Sequence, residues 1–433
     1  MNRSVLILGG GIAGLTAAFR LAAAGLAVTI IEESAHLGGG LSQTSSPLLL
    51  DAHHATWSLL DQLGKGSLLR RLRHTPLEFL QANGARTQFL HLPLPSPLNT
   101  LIGTTLYQGL SMRDRWHLLS FLERTWERDP PLPGDLDRRA ADEWLASIGQ
   151  SESARQGLWN SLARLLLGAA LSQASADLFM RTLRRCFLTG ARATKLVLPP
   201  VRLASLLVTP LAARLEEMGV RVLVNSPTAQ VSFERDRVVG VKLADWSTVS
   251  ADCYISALPR SKLTPLLPER IVTHYAYFQQ LGRLLEVPLA LVRLHLAQTI
   301  EQTQLVLMER RSFHWITRHA DNERQEDSSV VWATAIDEPS LLALPKEDLV
   351  RLALRDAVSA FSWPSAPPLL ETEVFQIPQA QLAPRPGAQQ CRPLAQSPFA
   401  NFFVAGDWTD TGWPANLESA VLSGQRAADA ALT

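Results

Sequence analysis

Three glycines near the start of the chain constrain its fold more than any other feature. Ser4-Val5-Leu6-Ile7-Leu8 is an unbroken apolar run, as a strand buried on both faces requires. Gly9, Gly11 and Gly14 follow in G-x-G-x-x-G spacing, and a helical pattern runs from Ile12 through Ala13 to Ala24. In this arrangement the first glycine allows a tight turn and the second lets the backbone approach a pyrophosphate. The third lets the helix close on the strand. Gly25 ends the helix, Ala27–Ile31 reads as a second strand, and Glu32 stands at its end, 18 residues after Gly14. A carboxylate at that spacing suits the hydroxyls of a ribose. Strand, helix, strand and acid in register predict a dinucleotide-binding βαβ unit.

The other end of the chain offers a second site. Phe402–Ala405 reads as a short buried strand, Gly406-Asp407 as a turn, and the segment from Asn416 to about Ala431 as a helix. A carboxylate such as Asp407 can accept hydrogen bonds from a polyol. The free N–H groups at the helix start, around Asn416 and Leu417, can stabilise negative charge on a heterocycle.

Leu37-Gly38-Gly39 resembles the glycine pair that follows the ribose acid in the FAD-dependent amine oxidase and phytoene desaturase superfamily. Gly406-Asp407 with its helix resembles that superfamily's other signature. The resemblance implies FAD, an α/β fold with a Rossmann-type FAD-binding domain built from separated segments, and an interleaved α+β substrate domain. On this reading residues 1–50, 200–260 and 397–433 form the FAD domain, and 51–199 with 261–396 form the substrate domain. Thr228, at the head of a strand pattern over Ala229–Phe233, and Ala257, in Ile255-Ser256-Ala257-Leu258-Pro259, complete the cofactor positions. One departure stands out, for Gly40 occupies the place where the superfamily usually has arginine. An arginine there would add a charge-assisted contact to the diphosphate worth roughly 1.5–3 kcal/mol. Neither His nor Cys lies in the Gly9–Gly14 turn or the Gly406–Glu418 motif, so FAD is expected to be held non-covalently.

Within the superfamily, Gly406-Asp407-Trp408-Thr409-Asp410-Thr411-Gly412-Trp413-Pro414-Ala415 resembles the squalene-associated FAD-dependent desaturases, now described as hydroxysqualene dehydroxylases. That resemblance implies reductive removal of a hydroxyl from a linear triterpene alcohol in hopanoid biosynthesis, with an isoprenoid substrate and an external electron donor. Hydroxide leaves poorly, so a proton donor and a dry apolar pocket are needed. His54, matched to the family's histidine, and Asp410 are the candidate donors. The competing role for His54 is capping a turn, and for Asp410 that of a loop carboxylate. Here the family's Asp-Asn-Gly-Gln-His becomes Asp51-Ala52-His53-His54, one residue shorter, and the acid after the helical Trp is Asn160. A carotenoid-type desaturase is an alternative reading, as is a non-catalytic FAD-fold protein binding a lipid or a partner. A flavin amine oxidase fits less well, because Asn416 stands where an aromatic cage residue is expected.

Composition narrows the partners. A formal net charge of +1 gives no reason to invoke nucleic acid. Three scattered cysteines suggest neither a disulfide framework nor a metal site. No charge-free run is long enough to span a bilayer, so a cytoplasmic protein is expected, or one held peripherally on the inner face of a membrane. Phe89–Tyr107 and Met112–Trp126 are the candidate membrane-facing segments. The middle of the chain reads as helices, with 91–98 and 129–134 as Pro-rich connections. Strands are expected at Leu289–Leu296, Leu305–Met308, Val330–Thr334 and Glu371–Phe375, a loop tip at Asp321–Ser329, and a helix at Asp348–Ala360.

Overall fold

The computed structural model describes residues 3–41, 48–70, 75–89, 98–126, 134–187, 196–199, 201–300, 302–320 and 328–433. Two sheets organise it. The first has five parallel strands in the order Phe402–Val404, Cys253–Ser256, Ser4–Leu8, Ala27–Ile31, Arg221–Leu223. The apolar run at its centre is unbroken because alternate residues feed two cores. Val5 and Ile7 pack with the helices Ile12–Ala23, Leu203–Glu217 and Leu417–Leu432. Leu6 and Leu8 pack with a three-stranded sheet formed by Thr228–Glu234, Arg237–Leu243 and Thr248–Val249. This helix–sheet–sheet stack is a Rossmann-type unit whose strands come from both ends and the middle of the chain.

The second sheet has seven strands in the order Leu369–Leu382, Glu286–Leu296, Ser329–Ile336, Trp315–Ala320, Gln304–Met308, Leu77–Leu80, Arg86–Phe89. One face carries Val292, Leu294, Val331 and Ala333 against the helix Lys346–Phe361. The opposite face carries Leu305, Leu307 and Trp315 against helices between 141 and 187.

Three strands depart from the sequence reading. Leu77–Leu80 and Arg86–Phe89 form a hairpin within a region read as helical, and Trp315–Ala320 was not expected at all. Leu77–Leu80 is held by parallel pairing to Gln304–Met308, more than 200 residues away, so local pattern does not reveal it. Trp315-Ile316-Thr317-Arg318-His319 mixes charge with apolar residues because both its faces are covered, and the alternation is blurred. The expected connections at 91–97 and 129–133, and the loop tip over 321–327, lie outside the described residues.

Candidate functional site

The N-terminal turn is a close-packed backbone structure. A methyl added at Gly14 would overlap the carbonyl oxygen of Gly9. Gly9 has φ +98°, and a Cβ there would lie 3.0 Å from the Ala257 carbonyl oxygen. Ala257 follows the neighbouring strand, its N–H donating to Leu8 O at 2.8 Å. Gly11 differs, since a Cβ there would meet nothing within 4 Å. The turn therefore presents bare backbone, with the N-terminus of Ile12–Ala23 behind it, to a side on which an added Cβ meets no atom within 4 Å, as an approaching phosphate would require. Gly38 N donates to Gly10 O at 2.8 Å, and a Cβ on Gly39 (φ +55°) would come to 3.4 Å from the Gly11 Cα. The second glycine pair thus lies on the first loop. Gly40 also faces space in which a Cβ would meet nothing within 4 Å.

Glu32 is buried at the end of its strand. Its Oε2 accepts from Gly10 N at 2.7 Å, and Oε1 accepts from Ser34 N and Oγ at 2.9 and 2.7 Å. The Glu32 carbonyl accepts from Ser226 N at 2.9 Å, which brings the turn leading into Thr228 beside the acid. Glu33, by contrast, points outward into an ion pair with Lys262.

The C-terminal loop is built differently. Gly406 takes φ +136°, and a Cβ there would collide with the Trp408 ring. The Gly406 amide donates to Ser423 Oγ at 2.8 Å, and the Trp408 indole donates to Leu258 O at 3.1 Å. Arg392, 6 % exposed, is the hub: its guanidinium donates to the carbonyls of Asp407 (2.6 Å), Trp408 (3.4 Å) and Trp413, and to Ser419 Oγ (3.3 Å). Burial pulls the Arg392 pKa down to about 10, against the field of Asp407 and Asp410. Burial pushes Asp407 up to about 6, with Arg392 opposing. Asn416 caps the last helix, its Oδ1 accepting from Ser419 N at 2.8 Å, so Leu417 opens the first turn. With its side chain turned into the cap, Asn416 does not act as a cage wall.

The two ends meet through Glu418, 2 % exposed, whose carboxylate accepts from Ala55 N, Thr56 N and Thr56 Oγ1 at 2.7–2.8 Å. An acid in the first turn of one helix thereby caps another, His54–Gln62. His54 lies on the exposed side of that cap, next to the start of the C-terminal helix. Its neighbour His53 is the buried one, meeting the Trp413 ring edge-on at 5.5 Å. Burial, reinforced by His54, lowers its pKa to about 4, so it is neutral at pH 7. Arg185 stacks on Trp413 at 5.1 Å and donates to Gly412 O. Asp410 Oδ1 accepts from Gln389 Nε2 at 2.7 Å and Gly412 N at 3.2 Å, the pattern of a loop-shaping carboxylate. The sequence reading missed Arg392, His53 and Arg185. None lies in a local pattern, although His53 beside His54 was a visible signal.

Open backbone at Gly11, an anchored acid at Glu32, and a carboxylate and capped helix start at Asp407–Leu417 fit the two halves of a flavin dinucleotide. The comparisons agree. The chain is 26% identical over 463 residues to a 15-cis-phytoene desaturase of Synechococcus elongatus, covering 98% of this chain and 95% of that one. It is 24% identical to a zeta-carotene desaturase of Synechocystis, covering 99% and 97%. Among solved structures, an oxidoreductase from Methanosarcina mazei superposes with a TM-score of 0.73 at 15% identity, over 98% and 99% of the two chains. Cyclohexylamine oxidase from Brevibacterium oxydans superposes with a TM-score of 0.69 at 18% identity, over 100% and 99%. The model of the flavin containing amine oxidoreductases matches residues 12–432, and the chain belongs to that family as an FAD-dependent oxidoreductase.

Proposed function

We propose that this enzyme acts on a linear isoprenoid, and that its reaction is the reductive removal of an allylic hydroxyl from a triterpene alcohol such as hydroxysqualene. The isoprenoid half rests on the full-length similarity to carotenoid desaturases. The dehydroxylation half rests on one observation, the Gly406–Ala415 loop with its resemblance to the hydroxysqualene dehydroxylases. The net change consumes two electrons and two protons. A C–O bond breaks, a C–H bond forms and water leaves.

FAD, when bound, supplies hydride chemistry; the protein's residues position, desolvate and protonate. Gly9, Gly11, Ile12, Ala13, Gly14, Gly38 and Gly39 would hold the diphosphate. Glu32 and Thr228 would hold the adenosine end, and Ala257, Gly406, Asp407, Asn416 and Leu417 the ribityl and ring end. His53, Trp413 and Arg185 pack on one another and would wall the same corner against water. His54 and Asp410 are the proposed proton donors. Electrons would come from a separate donor, since the sequence holds no second G-x-G-x-x-G.

A water-insoluble substrate has to arrive from lipid. Leu106 on Leu98–Leu106, with Met112 and Trp116 on Met112–Trp126, are 50, 75 and 70 % exposed beside the basic Arg113. Large apolar side chains rimmed by positive charge fit a peripheral contact with an anionic bilayer. Among the described residues no helix is long and apolar enough to cross a membrane. Replacing Met112 and Trp116 together by serine is expected to abolish co-flotation with anionic liposomes.

A second reading, desaturation of a carotene, is favoured by the full-length similarity to the phytoene and zeta-carotene desaturases. Anaerobic assay separates the two. The pre-reduced enzyme mixed with hydroxysqualene is expected to be reoxidised with formation of squalene. Bleaching of the oxidised enzyme by phytoene would instead establish the desaturase.

A further inference from the structure

The glycine turn and Glu32 answer the diphosphate and the ribose of a dinucleotide, which leaves the base to whatever stands beyond the acid. Backbone hydrogen bonds identify that neighbour. Glu32 N donates to Leu223 O at 2.8 Å, Asn225 N to Ser34 O at 3.0 Å and Ser226 N to Glu32 O at 2.9 Å. The segment from Leu223 to Pro227 is therefore laid along Glu32–Ser34. Thr228–Glu234 then runs away from the acid and Arg237–Leu243 returns to it, with Leu243 opposite Thr228. Ala244 N closes on Pro227 O at 2.9 Å. The next hairpin turn, Leu243–Ser247, thus sits at the Glu32 end of the small sheet.

That turn carries Trp246, which at 79 % is the most exposed large apolar side chain among the described residues. Its backbone is left-handed as well, with φ +67°. The turn is firmly built: Trp246 N donates to Leu243 O at 3.0 Å, and Asp245 Oδ1 accepts from Ser247 N and Oγ at 2.9 and 2.6 Å. Asn225, nearby, is also left-handed at φ +50°, but asparagine tolerates that conformation and a bulky aromatic residue does not. Glycine would relieve the strain at 246, and a polar residue would suit the exposure. Val224, 40 % exposed, gives the same rim a second apolar side chain, on the other side of the Pro227 turn.

We infer that Trp246 is an adenine-binding residue, its indole covering one face of the base of FAD at the outer rim of the pocket begun by Glu32 and Thr228. Strain and exposure at one residue both disfavour tryptophan in the free protein, and a flat aromatic base laid on the indole offsets them. Base–aromatic stacking needs no charge and no particular hydrogen-bond pattern, so it suits a rim that offers only Val224 and Trp246. It also gives the adenosine end a grip that the diphosphate lacks, since Gly40 brings no cation there. The inference concerns the cofactor alone and holds whichever isoprenoid reaction the enzyme performs.

The test compares Trp246→Gly, Trp246→Phe and Trp116→Ser in the full-length protein. FAD release from each holoprotein is followed by the rise of flavin fluorescence on dilution, and ADP binding to the flavin-free protein by calorimetry. Trp246→Gly is expected to release FAD about tenfold faster and to bind ADP about tenfold more weakly. Its thermal midpoint without flavin should equal or exceed that of the wild type, because the left-handed strain is gone. Trp246→Phe keeps an aromatic face and should stay within about threefold of the wild type for both ligands. Trp116→Ser removes another exposed indole and should change neither. Unchanged FAD release and ADP affinity in Trp246→Gly overturn the inference and leave the indole to a partner surface. Losses as large in Trp246→Phe, or a lowered midpoint in Trp246→Gly, also overturn it, the first by removing stacking and the second by making the indole part of the fold.

Discussion

The two glycine-bearing loops of the candidate site are built by opposite means. The Gly9–Gly14 turn is shaped mainly by atoms that are missing: its backbone closes on itself, on Ala257 and on Gly38, and one side chain, Glu32, takes the Gly10 amide. The Gly406–Asn416 loop is shaped by side chains brought from elsewhere. Arg392 ties up three of its carbonyls, Ser423 takes its first amide and Ser419 bonds within it. The first kind of loop is written in local spacing and has no room for an added carbon at Gly9 or Gly14. The second depends on a buried charge that arrives only when the chain is folded.

The largest test of this contrast is Arg392→Met. It leaves the carbonyls of Asp407, Trp408 and Trp413 without their donor, and is expected to cost about 3–5 kcal/mol in chemical denaturation and to abolish flavin retention. A loss under about 1 kcal/mol would mean that the loop stands on its own turns, and the contrast would fail.

Within the first loop, two glycines should behave oppositely. Gly14→Ala is expected to destabilise the apoprotein by about 2–3 kcal/mol, because its methyl meets the Gly9 carbonyl. Gly11→Ala meets open space, so the apoprotein midpoint should be unchanged while FAD binds at least about tenfold more weakly. Similar stability losses at both positions would show that the space at Gly11 is not kept for a ligand.

Glu32→Ala should lose roughly 1.5–3 kcal/mol of FAD affinity, about one to two decades by equilibrium titration. Glu33→Ala, which breaks only an exposed ion pair, should leave it unaltered. Equal losses would place the ribose elsewhere.

Gly40→Arg runs in the other direction. Its backbone does not need glycine and its Cβ has room, so the arginine is expected to tighten FAD by about tenfold.

The smallest effect concerns pH. Asp407 is held near 6 in the fold against 3.8 in an unfolded chain, so the folded state binds the proton more tightly. Apoprotein stability from this group is greatest below about pH 4 and is lost as pH rises through about 6. Asp407→Asn should flatten the profile in that window.

Much of the Rossmann unit was readable because its signals are local. Ser4–Leu8 and Ala27–Ile31 coincide with the predicted strands, and Met112–Trp126 with the predicted helix. The seven-stranded sheet was less legible. Trp315–Ala320 is covered on both sides and carries Thr317 and His319 inward, so the period-of-two pattern that marks a half-buried strand is lost. Leu77–Leu80 depends on a partner far along the chain. The motif match points to His54, whereas the fold buries its neighbour His53. Helix capping by Glu418 settles which of the two turns inward, and nothing local announces it.

The dinucleotide-binding fold and the family were legible in the chain alone, because glycine spacing and apolar runs act over a few residues and survive translation into any tertiary setting. What holds the second loop and which histidine is buried came only with the folded chain. Those depend on desolvation and on partners outside any local pattern, such as Arg392 with the Asp407 carbonyl or Thr56 with Glu418, and burial exists only once the chain has closed around them.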